Sequence, residues 1–593
     1  MKCQVVELYP DLENGGWTRK YPYYIAEPVE NDETAEYAFL KRNERSIDSR
    51  KKFSLHSIII QSPFLKKVLG KVFEGYEGIC TDLERLEFNK PFEPFVHRWE
   101  KFRSAKYTEA DVETKQHLDL LWEFLEKELR LTLAKKYDLL ANGVMTYSFL
   151  WTIFEPGTLV FTQIGESERV MRVQSYGYGH NTFCVYNRYV EWSGKEFGMA
   201  EAASSICTYE GTRKITGLAV YPLIYHPDTL GAQKRCIDRA KEWEGFCKYS
   251  FMSYKGGATS GCSRYNVDSR VIIDSAAFNK FNPNSQIGIY DLDDDPSYRA
   301  PPSDIPEEKS TQLTPWQQLL ATDVLRGYSL KDKIWLNLQL SCIKEIIWND
   351  KAFGSLVLPD DTKDLVLAFA ESQIKREPTF DDIIAGKGKG VIMLLSGPPG
   401  VGKTLTAEAV AETMRVPLYM MAAGDLGTDP HEVESSLQNI LKMTTKWKAV
   451  LLLDEADVFL EARSTHDLER NKLVSIFLRI LEYYEGLLFL TSNRVDNIDA
   501  AFESRIHLSL IYGNLSLESR RQIWMTFLGG NQSFTEEQID ALAQIELNGR
   551  QIKNILKTAQ LLATSKNEPL QFKYVQTITE LRAANACIPL KSS

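Results

Sequence analysis

The chain has 593 residues, of which 44% are hydrophobic, and its 70 basic and 80 acidic side chains give a formal net charge of −10. This composition predicts a globular protein of about three or four domains, and the acidic balance argues against a dominant nucleic-acid surface. No apolar run approaches the roughly 20 residues that span a bilayer, and no signal-peptide apolar block stands near the start. The nine cysteines form no C-x-x-C pair, so we expect reduced thiols rather than a zinc site. We therefore expect a cytoplasmic or nuclear protein that is neither secreted nor inserted in a membrane.

Residues 1–138 are predicted to form an α+β region. Short β-rich runs occur at Tyr23–Ile25 and Ser57–Ile60, and a long helix is predicted over Glu113–Lys136 with Asp111 as its N-terminal cap. The leucines on one stripe of this helix are Leu118, Leu121, Leu125, Leu129 and Leu133. We interpret the stripe as a face packed on its own domain; a partner-binding face is the alternative.

The composition of residues 139–281 differs from that of residues 1–138 and predicts a β-rich domain of unknown function. Apolar and aromatic segments alternate with Gly, Asn and Pro signals, which is typical of a mostly antiparallel sheet. The segments are Phe149–Phe154, Thr158–Thr162, Val170–Val173, Thr182–Tyr189, Leu218–Tyr225 and Arg270–Ile273.

Residues 282–315 are acidic and Pro-rich, a composition that buries too little apolar surface to offset its ordering entropy. We interpret them as a linker at the main domain boundary.

From residue 316 onward helices and strands alternate, which predicts a parallel sheet with helices on both faces over residues 316–510. The predicted elements are Asp361–Lys375, Val391–Leu395, Leu405–Met414, Leu418–Met421, Glu432–Thr444, Ala449–Leu453, Arg470–Tyr483 and Leu487–Thr491. Residues 511–593 contain only helical patterns, at Leu517–Leu528, Thr535–Ile545, Arg550–Ala563 and Gln571–Ala584. The expected fold class is an α/β parallel-sheet core with a C-terminal helical lid, preceded by an α+β and mostly β N-terminal region.

A phosphate-binding loop is the most specific signal in the sequence. Gly397-Pro398-Pro399-Gly400-Val401-Gly402-Lys403-Thr404 matches the pattern G-x-x-x-x-G-K-[ST] between a buried strand and a helix. Its glycines let successive main-chain N–H groups surround an anion, and the following helix directs its positive end to the same place. Lys403 supplies a cation for the β- and γ-phosphates, and Thr404 a hydroxyl for Mg²⁺. We predict that this loop, together with Leu405, binds a nucleotide.

Two further strands end in polar side chains. Asp454 and Glu455 follow an apolar strand, at the position where the carboxyl end of a parallel strand places ligands. We predict that Asp454 contributes to the Mg²⁺ site and that Glu455 is the general base for the attacking water; the alternative is a solvated strand end. Asn493 follows the next strand and is suited to position water against the γ-phosphate, with a helix cap as its alternative use.

Taken together, the loop Gly397–Thr404, the pair Asp454-Glu455, Asn493 and the segment Asp499–Arg505 resemble the AAA+ ATPases. This resemblance covers roughly residues 330–585. Further stretches are similar to a fungal subgroup whose N-terminal region is uncharacterised: Leu426–Asp429, Asp454–Glu461, Asp467–Asn471 and Ser504–His507.

The resemblance implies ATP and Mg²⁺ as ligands and a homo-oligomeric ring, usually a hexamer, with ATP at the subunit interfaces. By position Arg505 resembles the arginine finger that reaches a neighbour's site, although a lone arginine stands where the family usually has two. Arg550 resembles the second sensor, and a cation in a first helical turn opposes the helix dipole unless an anion lies nearby. Leu356–Leu358 resembles the adenine-contacting segment, or else is a core strand.

The segment that would form a pore loop departs from the pattern of ring translocases. Asp425–Pro430 contains no aromatic residue where many of these proteins have one to grip extended polypeptide. The sequence therefore does not support peptide threading. The polar segment Arg463–Arg470 is the other candidate for a pore loop.

We therefore expect an ATP-hydrolysing, ring-forming remodeller of a macromolecular substrate, which we expect to be a protein. The catalytic candidates are Lys403, Glu455, Asn493, Arg505 and Arg550. Two alternatives stay open, a nucleotide-gated scaffold that hydrolyses little and a small-molecule kinase on the same core. Glu455 and Asn493 together argue against the first, and the lack of an acceptor-binding signature argues against the second.

Overall fold

The structure is a computed structural model of the chain. The residues that it describes are 9–10, 17–18, 36–45, 53–165, 167–292, 312–375, 390–427, 429–461, 468–494, 498–529 and 534–586. Their contacts divide the chain into two compact units. The first comprises Met1–Gly245 with Gln286–Asp323, and the second Phe246–Ser285 with Val324–Ser593.

Both units contain strands and helices. The strands are β1 (Tyr9–Pro10), β2 (Trp17–Thr18), β3 (Phe39–Arg45), β4 (Phe53–Ile60), β5 (Leu86–Asn89), β6 (Val144–Thr146), β7 (Leu159–Ile164), β8 (Ser167–Tyr178), β9 (Thr182–Trp192), β10 (Phe197–Cys207), β11 (Thr212–Lys214), β12 (Val220–Pro222), β13 (Ser250–Ser260), β14 (Ser263–Ile273), β15 (Val324–Ser329), β16 (Ile334–Gln339), β17 (Ile343–Lys344), β18 (Val391–Ser396), β19 (Leu418–Ala422), β20 (Val450–Asp454), β21 (Leu487–Ser492) and β22 (Leu508–Ile511). The α-helices are α1 (Pro63–Val72), α2 (Glu93–His97), α3 (Trp99–Thr108), α4 (Val112–Ala141), α5 (Thr229–Phe246), α6 (Ser275–Phe281), α7 (Pro315–Leu319), α8 (Asp360–Lys375), α9 (Lys403–Met414), α10 (Pro430–Lys446), α11 (Asp457–Leu460), α12 (Leu468–Leu481), α13 (Ala500–Glu503), α14 (Leu517–Leu528), α15 (Glu536–Gln544), α16 (Gly549–Ser565) and α17 (Phe572–Ala586).

In the first unit, the long helix α4 begins after Asp111, whose carboxylate accepts a hydrogen bond of 3.0 Å from the main-chain N–H of Thr114. This is the predicted N-terminal cap. The five leucines of its stripe are all buried, and the helix contacts α1, α2, α3 and β6 of the same unit. The stripe therefore packs on its own domain, as the first of the two interpretations expected.

The main sheet of the first unit has five antiparallel strands in the order β10-β9-β8-β7-β12, which confirms a mostly β region. The prediction of a strand at Phe149–Phe154 is wrong, because Tyr147–Ile153 form a 3₁₀-helix. Its residues Leu150–Ile153 are buried consecutively, whereas a half-buried strand would alternate. Helix α5 was not predicted, although its buried residues recur at helical spacing from Ala232 to Trp243.

The second unit begins with another antiparallel sheet, in the order β14-β15-β16-β13-β17. Strand β14 also pairs with β13, so four of these strands close into a barrel-like ring. The side chains of Ile272 and Tyr328 belong to the same hydrophobic core as Tyr419 and Trp447 of the α/β region. Residues 246–285 thus group with the α/β core, so the second unit begins inside the predicted β-rich domain, residues 139–281.

The predicted parallel sheet is present, in the order β19-β20-β21-β18-β22. Helices α8 and α9 cover one face of it, and α10, α11 and α12 cover the other. Leu452 and Leu453 face these two opposite cores, as successive residues of a strand must. The strands β18, β20 and β21 end at the same edge of the sheet, at Ser396, Asp454 and Ser492.

Helices α14–α17 follow strand β22 and enclose a hydrophobic core of their own around the buried Trp524. They lie at the four positions where the sequence predicts helices. Three of the four begin with a capping side chain: Ser516, Thr535 and Asn548.

Some predicted features lie outside the described residues, namely Tyr23–Ile25, residues 293–311 of the linker and residues 463–467 of the polar segment. In the part of the chain that the structure describes, no helix has both the length and the apolar character needed to cross a membrane.

Candidate functional site

The loop after β18 has the conformation that its glycines permit. Gly397, Gly400 and Gly402 have φ values of 142°, 79° and 108°, a region that other residues rarely adopt. A Cβ atom at Gly397 would lie 2.2 Å from the carbonyl oxygen of Tyr512. The loop therefore requires glycine at this position both for its backbone angle and for its packing.

Lys403 begins helix α9 and turns its side chain back over the loop. Its Nζ donates hydrogen bonds to the carbonyl oxygens of Gly397 (2.6 Å) and Pro398 (2.9 Å) and to Oδ1 of Asn493 (2.9 Å). The residue is only 7% exposed, and this burial lowers the pKa of its ammonium group. The predicted loop and the end of β21 are thus joined by one cation.

Thr404 and Asp454 provide oxygen atoms at the same edge of the sheet. The Thr404 hydroxyl lies 3.3 Å from Oδ1 and 3.4 Å from Oδ2 of Asp454. A hydroxyl and a carboxylate are hard oxygen donors of the kind that Mg²⁺ prefers, together with phosphate oxygens. The residues present therefore fit the predicted magnesium site.

Glu455 follows Asp454 in an unusual backbone conformation. Its φ is +53°, in the left-handed region that costs a non-glycine residue roughly 1–3 kcal/mol. Its side chain is exposed. The next residue, Ala456, donates its main-chain N–H to the carbonyl oxygen of Thr491 (2.9 Å), which fixes the turn after β20 to strand β21.

Asp457 was not predicted as a site residue, but it lies beside the residues described above. Its carboxylate accepts hydrogen bonds from the Ser492 hydroxyl and, at 3.5 Å, from the main-chain N–H of Asn493. Its charge also opposes the lowering of the pKa of Lys403. The only signal in the sequence was its place three residues after Asp454, which does not by itself distinguish it from a helix-starting acid.

The first turn of helix α16 contacts the phosphate loop. Asn548 caps the helix by accepting a 2.9 Å hydrogen bond from the main-chain N–H of Gln551. A Cβ at Gly400 would lie 2.8 Å from the Asn548 side chain and 3.2 Å from Cβ of Arg550. The Arg550 charge also lowers the pKa of Lys403. Arg550 therefore starts beside the phosphate loop, and its charge acts on Lys403.

Arg505 lies apart from this cluster in the described contacts of the chain. Its guanidinium donates a hydrogen bond to the carbonyl oxygen of Ala501 (2.9 Å) and lies 3.9 Å from the carboxylate of Glu482. Among the residues that the structure describes, the buried Nε of Arg505 has no hydrogen-bond partner. Among the described residues, the structure thus does not bring Arg505 to the loop of its own chain.

Two cavities of the second unit differ in their relation to the predicted site. One of about 760 Å³ lies between α6, α10 and α12, and none of the predicted site residues lines it. Another, of about 670 Å³, runs beside α9 and is lined by Leu405, Glu408 and Asp454. Burial raises the pKa of Glu408, and the charge of Asp454 adds to this effect.

The two other predicted segments also have defined places. Leu356–Leu358 does not form a strand; Leu356 is buried and the segment precedes helix α8. In the segment expected at a pore, the carboxylate of Asp425 pairs with the ammonium group of Lys333 at 2.5 Å.

Comparison with known proteins identifies two regions of the chain. Residues 393–513 match the model of the ATPase family associated with various cellular activities (AAA), and residues 135–227 match a domain of unknown function, DUF7025. The predicted AAA+ ATPase module is thereby confirmed for the C-terminal part of the chain. The match contains the loop Gly397–Thr404, Asp454, Glu455, Asn493 and Arg505 but ends before Arg550.

Curated relatives share this region at low identity. ATP-dependent zinc metalloprotease FtsH of Leuconostoc mesenteroides is 29% identical over 250 residues, which are 37% of this chain and 35% of the relative. Spastin of Dictyostelium discoideum is 28% identical over 165 residues, 26% of this chain and 25% of the relative. Human ATPase family AAA domain-containing protein 3B is 29% identical over 139 residues, 22% of this chain and 21% of the relative. The chain thus spans about a third or less of the length of these relatives.

Among solved structures, a chain of the HORMA:CdnC:Trip13 complex of E. coli MS115-1 matches 39% of this chain and 90% of its own length. The identity is 17% and the TM-score 0.32, a likeness too weak to support an inference about this protein.

Proposed function

We propose that the second unit is a Mg²⁺-dependent ATPase that binds ATP at Gly397–Thr404 and hydrolyses it. The proposal rests on one observation, the convergence of the phosphate loop, Asp454 and Asn493 at a single edge of the sheet through the contacts of Lys403 and Thr404. The match of residues 393–513 to an ATPase family supports the same reaction.

Electrostatics favours a polyanion at this edge. Lys403 and Arg550 lie close enough for the Arg550 charge to lower the pKa of Lys403. A triphosphate between them would replace this repulsion by two attractive interactions, and it would also lie at the positive end of helix α9. Mg²⁺, held by Thr404 and Asp454, would supply the charge that neutralises the phosphate oxygens.

Glu455 and Asn493 would prepare the attacking water. Glu455 extends an exposed carboxylate from the turn after β20, where it is free to accept a proton from water. Asn493 already holds its amide oxygen against Lys403 at 2.9 Å, so that its side chain is oriented toward the loop. These two residues distinguish a hydrolase from a site that only binds nucleotide.

The assembly is proposed from the resemblance alone, as a homo-oligomeric ring, usually a hexamer, in which Arg505 reaches the ATP of a neighbour. The cycle of ATP binding and hydrolysis would move helices α14–α17, which act as the lid, because α16 contacts the phosphate loop. The substrate would be a macromolecule, expected to be a protein. Threading is not part of the proposal, since residues 425–430 contain no aromatic side chain.

Phosphate release measured at rising protein concentration tests this function. We expect Mg²⁺-dependent release whose specific activity increases as subunits associate, because the site is completed at an interface. The Lys403→Ala variant should lose both ATP binding and release, while Lys557→Ala, at an exposed position of α16, should retain them. ATP binding without release at any concentration would favour the nucleotide-gated scaffold instead.

A further inference from the structure

Thr491, near the end of strand β21, makes contacts that the predicted function does not assign. It is 1% exposed, and its hydroxyl forms a short hydrogen bond with Oδ1 of Asp454. The same hydroxyl oxygen lies 3.0 Å from the main-chain nitrogen of Glu455. One buried side chain therefore contacts both members of the acidic pair.

The direction of each hydrogen bond follows from the groups involved. The main-chain N–H of Glu455 can only donate, so the hydroxyl oxygen of Thr491 accepts that bond. The single hydroxyl proton is then left for the Asp454 carboxylate, which accepts when it is ionised. The two bonds are compatible only in this arrangement, and together they fix the Asp454 carboxylate and the Glu455 peptide relative to each other.

We propose that Thr491 is a positioning residue for ATP hydrolysis, an inference that rests on the proposed function. By holding Oδ1 of Asp454, it fixes the orientation in which this carboxylate faces the Thr404 hydroxyl, 3.3–3.4 Å away. By accepting a hydrogen bond from the main-chain N–H of Glu455, Thr491 stabilises the Glu455 backbone, whose φ is +53° and from which the proposed general base extends. Thr491 thus positions both the carboxylate proposed to bind Mg²⁺ and the residue proposed to activate the water.

The neighbouring sequence shows that the hydroxyl is not needed for packing. The preceding residues of β21, Leu487–Leu490, are all apolar and buried. Valine has nearly the shape of threonine and suits a buried strand equally well, whereas a hydroxyl is costly to bury without hydrogen bonds. The hydroxyl at position 491 therefore matters for the two bonds that it forms.

Three variants test the proposal: Thr491→Val, which removes only the hydroxyl, Thr491→Ser, which retains it, and Thr444→Val as a matched control. Thr444 is a buried threonine of α10 whose hydroxyl donates a hydrogen bond to the carbonyl oxygen of Ile440 in its own helix (2.9 Å) and lies 3.4 Å from the Tyr484 hydroxyl. For each variant, ATP affinity, kcat and the Mg²⁺ concentration for half-maximal rate would be measured, with the melting temperature as a check of folding.

We expect Thr491→Val to bind ATP with affinity near that of the parent, because the phosphate loop is intact. Its kcat should fall by about tenfold to a hundredfold, the size expected when a hydrogen bond to an ionised group is lost. Its half-maximal Mg²⁺ concentration should rise severalfold. Thr491→Ser should restore both values, and Thr444→Val should change neither.

A parent protein that releases phosphate alongside a Thr491→Val variant with unchanged kcat and Mg²⁺ dependence would overturn the positioning role while leaving the ATPase intact. A fall in kcat that Thr491→Ser fails to restore would also overturn it, because packing would then be the cause. A parent protein without any phosphate release would instead overturn the proposed function.

Discussion

The main-chain N–H of Gly549 donates a hydrogen bond of 2.9 Å to the carbonyl oxygen of Gly400. This bond joins the first residue of α16 to the middle of the phosphate loop, across residues that are far apart in the sequence. A Cβ at Gly549 would lie 3.1 Å from the same oxygen, so the backbone of α16 packs closely against the backbone of the loop. Movement of the helical region and the shape of the loop are therefore linked through the backbone.

The first prediction concerns Gly400→Ala. The added Cβ would lie 2.8 Å from the Asn548 side chain, and the φ of +79° would cost alanine about 1–2 kcal/mol. We expect ATP affinity, measured by titration calorimetry, to fall by roughly tenfold or more because the helix must move away from the loop. Gly424→Ala is the control, since no atom of the described residues lies within 4 Å of a Cβ at that position. Equal ATP affinities in the two variants would contradict the coupling between α16 and the phosphate loop.

The second prediction tests whether Arg505 acts on a neighbour. Arg505→Ala and Glu455→Gln should each be nearly inactive alone, because each lacks one part of every interface site. Mixed rings would contain some interfaces with an intact Glu455 on one subunit and an intact Arg505 on the other. We therefore expect the mixture to regain part of the phosphate release. If the mixture is no more active than its components, Arg505 does not act between subunits.

The third prediction concerns the first unit, where His97 is buried among polar groups. Its Nε2 lies 2.7 Å from the carbonyl oxygen of Trp151 and its Nδ1 2.7 Å from the Tyr76 hydroxyl. Burial lowers the pKa of His97 from 6.5 to about 4, and the nearby charges of Lys136 and Arg98 add to this lowering.

Between pH 6.5 and 4 the unfolded chain therefore binds a proton at His97 that the folded chain does not. The free energy of unfolding should fall as the pH is lowered through this range, by up to about 3 kcal/mol from this group. Denaturant unfolding followed by tryptophan fluorescence at several pH values measures it. His97→Gln should flatten the dependence, whereas His180→Gln, at an exposed loop position, should not. Parallel curves for the parent and His97→Gln would contradict the effect.

The α/β core and the loop were predictable because their signals are local. Strand β18, the loop Gly397–Thr404 and helix α9 follow one another in the sequence, so periodicity and motif define them together. The 3₁₀-helix at Tyr147–Ile153 was not predictable, because its aromatic residues are equally suited to a strand.

The remaining differences depend on contacts between distant residues. The packing of Ile272 and Tyr328 on Trp447 places residues 246–285 with the α/β core, and no composition signal marks that contact. Thr491 looks in the sequence like one more β-branched strand residue. Its bond to Asp454 exists only because β20 and β21 are adjacent in the sheet.

The central claim, that one pocket binds ATP and that Glu455 promotes its cleavage, is tested most directly by Glu455→Gln. ATP affinity and phosphate release would be measured on the same preparations of the parent, Glu455→Gln and Glu537→Gln, an exposed glutamate of α15. The account predicts that Glu455→Gln binds Mg·ATP within a few-fold of the parent but releases phosphate at least about a hundredfold more slowly, because the general base is lost. Glu537→Gln should match the parent. Phosphate release by Glu455→Gln at the parent's rate would contradict the account.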